Sequence, residues 1–184
     1  LEQTYSIMCN DRQAVSEMIG YIIEQGHRDI GIVTGLIDSI PYRERLMGYH
    51  QTLLKYGIPL NPAYIKIGDW EFESGRKMVK ALMRESRPPT AIFAMNDLMA
   101  AGVIDGAVEL GISVPEELSV VGFDNREFSR FYSPKLTTIA PPLYEIGVTA
   151  AEALFELTEG RVPRQPIKKL DCRLIKRETV WSIS

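Results

Sequence analysis

Two cysteines and two histidines among 184 residues leave little material for a metal centre or a disulfide framework. His27 follows a helix stop and His50 falls inside a helical pattern; neither has a Ser or Cys partner for nucleophilic catalysis. No cluster shows metal-ligand spacing. There is no G-x-G-x-x-G after a strand, no G-x-x-x-x-G-K-S/T and no G-x-S-x-G elbow, which argues against dinucleotide, P-loop and hydrolase chemistry. No apolar run approaches the roughly 20 residues that span a bilayer. An excess of positive charge is also missing: 21 Lys and Arg stand against 24 Asp and Glu, a net charge of −3. A domain that held nucleic acid by neutralising phosphates would need the opposite balance. The opening residues, Leu1-Glu2-Gln3-Thr4, lack the basic and apolar regions of a signal peptide and lack a starting Met. The expectation is a segment cut from a longer cytoplasmic protein that binds without chemistry, metal or cofactor.

Cys9 and Cys172 lie far apart in apolar surroundings and read as a pair of reduced buried thiols. The carboxylates of Glu116-Glu117 and of Asp69 and Glu71 fall in loops or at caps and read as solvated. Lys168, Lys169, Arg173, Lys176 and Arg177 flank a strand, where they protect an edge rather than form a nucleic-acid patch.

What the chain does have is an alternation of short apolar runs with helical patterns. Charged residues at 24% and hydrophobic ones at 45% are ordinary for a globular domain. Asn10 or Asp11 can cap a helix with the stripe Ala14, Val15, Met18, Ile19, Ile22 and Ile23, stopped at Gly26. Asp29–Val33 reads as a buried strand, and Leu46, Tyr49, Leu53 and Leu54 mark a helix ending at Gly57. Tyr64–Ile67 is the next strand, followed by a helix from Gly75 to Arg84. Thr90–Met95 is a strand, and Asn96 caps a helix that runs to Gly111. Leu118–Phe123 follows as a strand. Strands alternating with long helices imply βαβ units: an α/β, doubly wound parallel sheet with helices on both faces, in three layers. The last third differs: a short β-branched run Leu136–Ile139, a Pro141-Pro142 break, a helix with Ile146, Leu154 and Phe155, and one final strand over Ile167–Lys176.

In an open parallel sheet, ligands sit outside the carboxyl ends of the strands. Polar and aromatic residues gather there at four successive strands. Trp70 offers a rigid face to a sugar ring or nucleobase, though it can equally be a packing residue. Arg45 and Asp124 can each grip neighbouring hydroxyls with two charge-assisted hydrogen bonds. Asn96 supplies a donor and an acceptor but also suits a helix N-cap, and Asp124 suits an Asx turn. Arg45, near a helix start, faces an unfavourable dipole and needs an anionic or polar partner.

Several stretches carry a resemblance: Gly26-His-Arg-Asp-Ile-Gly31, Arg45-Leu-Met-Gly-Tyr49, Gly68-Asp-Trp-Glu-Phe-Glu-Ser-Gly75 and Pro89-Thr-Ala-Ile-Phe93. Asn96-Asp-Leu-Met-Ala-Ala-Gly102, Val114–Asp124, Leu136-Thr-Thr-Ile139 and Leu174-Ile-Lys-Arg177 complete it. In this order they resemble the effector-binding core of the LacI/GalR family of transcription repressors, whose fold is that of periplasmic sugar-binding proteins. The resemblance implies that 10–140 plus 164–180 form the C-terminal lobe and that 1–9 and 141–163 are a strand and a helix of the N-terminal lobe. The resemblance also implies a DNA-binding domain that is absent from this chain. It implies a small-molecule effector held by Arg45, Trp70, Asn96, Asp124 and Ser39, a homodimer contacting through Ala101, Phe128, Phe131 and Tyr132, and operator DNA as partner of the intact protein. Ser39 stands where purine-type members place a base-contacting arginine, with Pro41 at a neighbouring contact position. Pro141 stands where lactose-type members have glutamine. A sugar is expected in preference to a nucleobase; the alternative is a solute-binding protein of a transport system.

Overall fold

Runs such as Ile30-Gly-Ile-Val-Thr34 carry no polar face, so they bury both sides only between layers of helix. The computed structural model describes residues 5–161 and 165–183. In chain order its elements are β1 (Ser6–Cys9), α1 (Asp11–Glu24), β2 (Ile30–Thr34), α2 (Ile40–Lys55), β3 (Ile65–Ile67) and α3 (Phe72–Leu82). Then come β4 (Ala91–Ala94), α4 (Asp97–Glu109), β5 (Ser119–Val121), β6 (Thr138–Ala140), α5 (Leu143–Thr158), β7 (Ile167–Leu170) and β8 (Arg173–Ile175). The main sheet is parallel, in the order β3-β2-β4-β5. Helices α1 and α2 pack together on one face, and α3 and α4 on the other. β2, β4 and β5 are wholly buried, as a sheet covered on both sides requires.

The helices meet the sheet by the stripes read above, except that Leu54 of α2, read in its stripe, faces solvent at 79% exposure because it falls one position past Leu53 on the turn. Val15, Met18, Ile19 and Ile22 of α1 and Val79 and Leu82 of α3 are fully buried against Ile32, Phe93 and Val120. Each such side chain contributes about 1.5–3 kcal/mol relative to exposure. The expected helix start at Gly75 moves back to Phe72, with Glu71 extended before it. Gly75 is instead a packing position: a Cβ there would lie 2.0 Å from the carbonyl oxygen of Met99, so its absence lets α3 and α4 approach backbone to backbone. Asn10 precedes α1 without capping it; its amide bonds to Gln13 (2.9 Å) and Asp171 (3.0 Å).

The single strand expected over Ile167–Lys176 is two. β7 pairs in parallel with β1, whereas β8 pairs antiparallel with β6, and the chain changes sheets at Asp171-Cys172. Periodicity shows extended chain but not its neighbour. α5 has no buried residue and leaves Leu143, Tyr144, Leu154 and Phe155 exposed. The chain passes three times between the β1–β7 pair with α5 and the main body: after Cys9, at Pro141-Pro142, and at Asp171-Cys172. The tail runs back along β5, with Val120 N–H donating to Thr179 O (2.8 Å). His27 closes it down, bonding Thr90 Oγ1 (2.9 Å) and Trp181 O (3.0 Å). Residues 1–4, read above for a leader, and 162–164, where the expected lobe boundary falls, lie outside the described residues. Among the described residues no helix is long and apolar enough to cross a membrane.

Candidate functional site

The sheet order places the reversal of winding between β2 and β4, and open α/β sheets hold their ligands in the crevice outside the carboxyl ends at such a point. Arg45, on α2, reaches into it and is 7% exposed. Its Nε donates to Asp11 Oδ1 (3.2 Å), a second nitrogen donates to Met95 O, and a third lies 3.9 Å from Asp124 Oδ1. The guanidinium carbon stands 3.5 Å from the Phe123 ring centre and 5.9 Å from that of Trp70. The partner that the helix dipole demanded is therefore a pair of carboxylates. Burial pushes the Asp11 and Asp124 carboxyls up, and Arg45 pulls both back. Asp11 takes part although sequence reading cast it only as a possible cap.

Trp70 follows β3 with φ +77° and lies against the end of β2. Only glycine permits this at position 35, where a Cβ would fall 1.9 Å from the indole. Asn96 does two jobs: its Oδ1 accepts from Met99 N–H (2.8 Å) to cap α4, and its Nδ2 donates to Trp70 O (2.8 Å). Arg45, Trp70, Asn96 and Asp124 thus form one connected cluster. Ser39 stands apart from these contacts. Its hydroxyl accepts from Tyr42 N–H (3.2 Å) and donates to Leu36 O (3.3 Å), so it is occupied as the cap of α2.

Beneath the rim lies a brace that the sequence did not disclose. Asp97, fully buried, accepts from Thr138 Oγ1 (2.5 Å) and from Arg126 N–H (2.7 Å). Arg177 donates to Asn125 Oδ1 (2.7 Å), Leu136 O (2.7 Å) and Ser129 Oγ (3.1 Å). Together they hold Asp124 (φ 115°) and Asn125 (φ 50°) in left-handed backbone, aimed at the crevice. Arg177, expected at an edge, is instead half-buried, because its fork matches three acceptors along the segment from Asn125 to Leu136. Burial raises the Asp97 carboxyl to about 7. An open hollow of about 580 Å³ adjoins Asp124, lined also by Asn125, Pro141, Tyr144, Asp171 and Arg173.

Residues 19–180 match the periplasmic binding protein-like domain family. The chain is 41% identical over 164 residues to the HTH-type transcriptional repressor CytR of Escherichia coli (strain K12), covering 89% of this chain and 48% of that protein. It superposes on a LacI-type transcriptional regulator from Bacillus cereus subsp. cytotoxis with a TM-score of 0.93 and 33% identity, covering 100% of this chain and 64% of that one. The chain belongs to the LacI family. It is similar as well to the lac repressor dimer bound to operator and the anti-inducer ONPF (TM-score 0.89, 31% identity, 96% and 60% covered). The chain spans about half the length of the curated relatives it matches. Relatives such as CytR and the PurR of Aliivibrio salmonicida (strain LFI1238) are transcriptional repressors.

As a LacI-family core the molecule has two further features that sequence reading placed differently. Of the three aromatics that the resemblance assigns to the dimer contact, which needs them on the surface, Phe131 alone is exposed, at 77%. Phe128 and Tyr132 meet edge to face at 6.4 Å, and the Tyr132 hydroxyl donates to Ala101 O (3.2 Å), which draws both rings inward over a buried Ala101. Cys9 and Cys172, read as separated and apolar, share a hydrogen bond beside Asp11 and Arg45. Among the described residues no group of three His, Cys, Asp or Glu side chains is placed to hold a metal.

Proposed function

We propose that this segment is the effector-sensing core of a LacI-type repressor and that its effector presents a sugar ring to the crevice. The observation that carries this reading is the cluster itself. Asp124 keeps a side chain about one-third exposed while Arg45 is held rigid behind it, so vicinal hydroxyls meet a preformed acceptor and donor. Trp70 closes one wall with a fixed aromatic face suited to the apolar side of a pyranose or furanose. Ser39 is spent on capping, which leaves no cation there for a nucleobase. In the intact protein, effector binding across the crevice favours one angle between the two bodies joined by the three crossings. The ligand shifts that equilibrium only by its differential affinity, tenfold for each ~1.4 kcal/mol. The protein acts as a homodimer through Phe131 and its neighbours, in the cytoplasm, on operator DNA held by a separate domain.

The test uses the intact protein. Arg45→Ala or Asp124→Ala abolishes effector response while operator binding survives; release of operator at ordinary effector levels refutes the assignment. Within this segment Trp181→Phe leaves Trp70 as the sole tryptophan, and the fluorescence change that Trp70→Phe removes is titrated with free sugars, nucleosides and nucleobases in parallel. Quenching by nucleobases alone overturns the sugar reading. The chain by itself binds more weakly than the micromolar level of about −8 kcal/mol, because part of the crevice wall is lacking.

A further inference from the structure

We propose that Cys9 and Cys172 are an oxidisable dithiol whose disulfide staples two of the three crossings beside the Arg45–Asp124 pair. The two thiols are 163 positions apart and neither belongs to the effector cluster. Their meeting is built by the backbone. β1 and β7 run in parallel with Cys9 in register with Leu170, and Asn10 N–H donates to Leu170 O (2.8 Å). The Asn10 side chain reaches on to Asp171 (3.0 Å), the residue before Cys172. Cys172 lies two residues past Leu170, the register partner of Cys9, and the Asn10–Asp171 bond draws together the segments that carry the two thiols. The sulfurs already share a hydrogen bond, both side chains are half-buried, and both are reduced.

The surroundings distinguish the two sulfurs. The Cys172 S–H donates to Cys9, which draws the Cys9 thiol below its usual range, and Arg45 acts in the same sense against Asp11 and Asp124. Cys172 is pushed up by the same contact and by burial. Cys9 is therefore the attacking sulfur and Cys172 the resolving one. With a hydroperoxide as oxidant, Cys9 thiolate attacks one peroxide oxygen, the O–O bond breaks, and the departing oxygen takes up a proton as water or alcohol. The resulting Cys9 sulfenic acid is attacked by Cys172, the S–O bond breaks, and the hydroxyl leaves as water with the Cys172 proton. Each sulfur loses one electron, and the peroxide gains two.

The consequence follows from position. Cys9 ends one crossing and Cys172 lies within another, so the bond fixes their separation where the chain enters the main body. It also holds the strand leading to Asp11, the fixed partner of Arg45. The staple stands on thiol geometry; the effector reading bears only on which site it steadies.

The experiment treats the purified chain with hydrogen peroxide in slight excess. Two thiols per chain then disappear, the intact mass falls by about 2 Da, no dimer forms on a non-reducing gel, and dithiothreitol reverses the change. Cys9→Ser and Cys172→Ser each abolish the intramolecular bond. Separate sulfinic acids, intermolecular dimers or unreacted thiols overturn the pairing. Hydrogen exchange, measured without effector, slows at least tenfold at Asn10, Asp171 and Cys172 in the oxidised wild type and is unchanged in peroxide-treated Cys9→Ser. A disulfide that leaves these amides exchanging as before overturns the staple while leaving the effector reading untouched.

Discussion

Replacing Asp97 by asparagine separates the electrostatic cost of the brace from its geometry. The carboxyl titrates near 3.8 in open chain and near 7 in the fold, because burial outweighs the donors Thr138 and Arg126 N–H. At roughly 1.36 kcal/mol for each pH unit between the two, the difference amounts to about 4 kcal/mol. The sign follows from proton binding. Between about pH 4 and about pH 7 the folded state holds a proton that the unfolded state has lost, so stability falls as pH rises through that window. The contribution is whole below about pH 4 and gone above about pH 7. The substituted amide cannot titrate, yet it can still accept from Arg126 N–H and donate to Thr138. Urea unfolding should find Asp97→Asn within about 1 kcal/mol of wild type near pH 4, the size of one ordinary hydrogen bond. Near pH 8 the variant should be favoured by about 4 kcal/mol relative to that offset. Taking the difference between two proteins at each pH cancels the other carboxylates. A difference that stays flat across that range, or that moves against the variant, refutes the buried-carboxylate account.

Gly35→Ala puts a methyl where the Trp70 indole lies; about 1–3 kcal/mol of stability should be lost and Trp70 emission should shift to the red, while unchanged emission would contradict the packing. Burial holds the His27 ring below its usual titration range, so its contribution is complete above pH 6.5 and is lost as pH falls below it. His27→Gln should flatten that acid limb in thermal melts, and an unaltered limb would clear His27 of the role. Phe131→Glu should weaken self-association of the intact protein at least tenfold in sedimentation equilibrium, leaving the effector titration unaffected.

Much of this architecture could be read from the chain alone, for a definite reason. A parallel sheet must bury both faces and must return through helices, so apolar runs alternate with amphipathic ones in plain view. The cluster was visible by the same logic, since Arg45, Trp70, Asn96 and Asp124 each follow a strand within the loop or helix that leaves its carboxyl end. What stayed hidden was every contact made across long separations. Arg177 reaches Asn125 from 52 positions away, and Cys9 meets Cys172 from 163. Neither leaves a local pattern. Asp97, in the first turn of α4, carries no local sign of its role because its partners, Thr138 and Arg126, come from another strand and a later loop. The division of Ile167–Lys176 into β7 and β8 was invisible too, as extended chain has one periodicity whichever sheet it joins.

One guanidinium is shared by two carboxylates, Asp11 and Asp124, with Arg126 and Arg173 the further cations beside Asp124. A guest bearing phosphate or carboxylate would place like charge against Asp124, and at about 4 Å with an effective dielectric near ~20 that costs about 4 kcal/mol. Such a penalty is about a thousandfold in occupancy. Uncharged polyols and amines escape it. The expected outcome is that a phosphorylated sugar binds this cluster more weakly than the free sugar does, and equal affinity in a side-by-side titration refutes it.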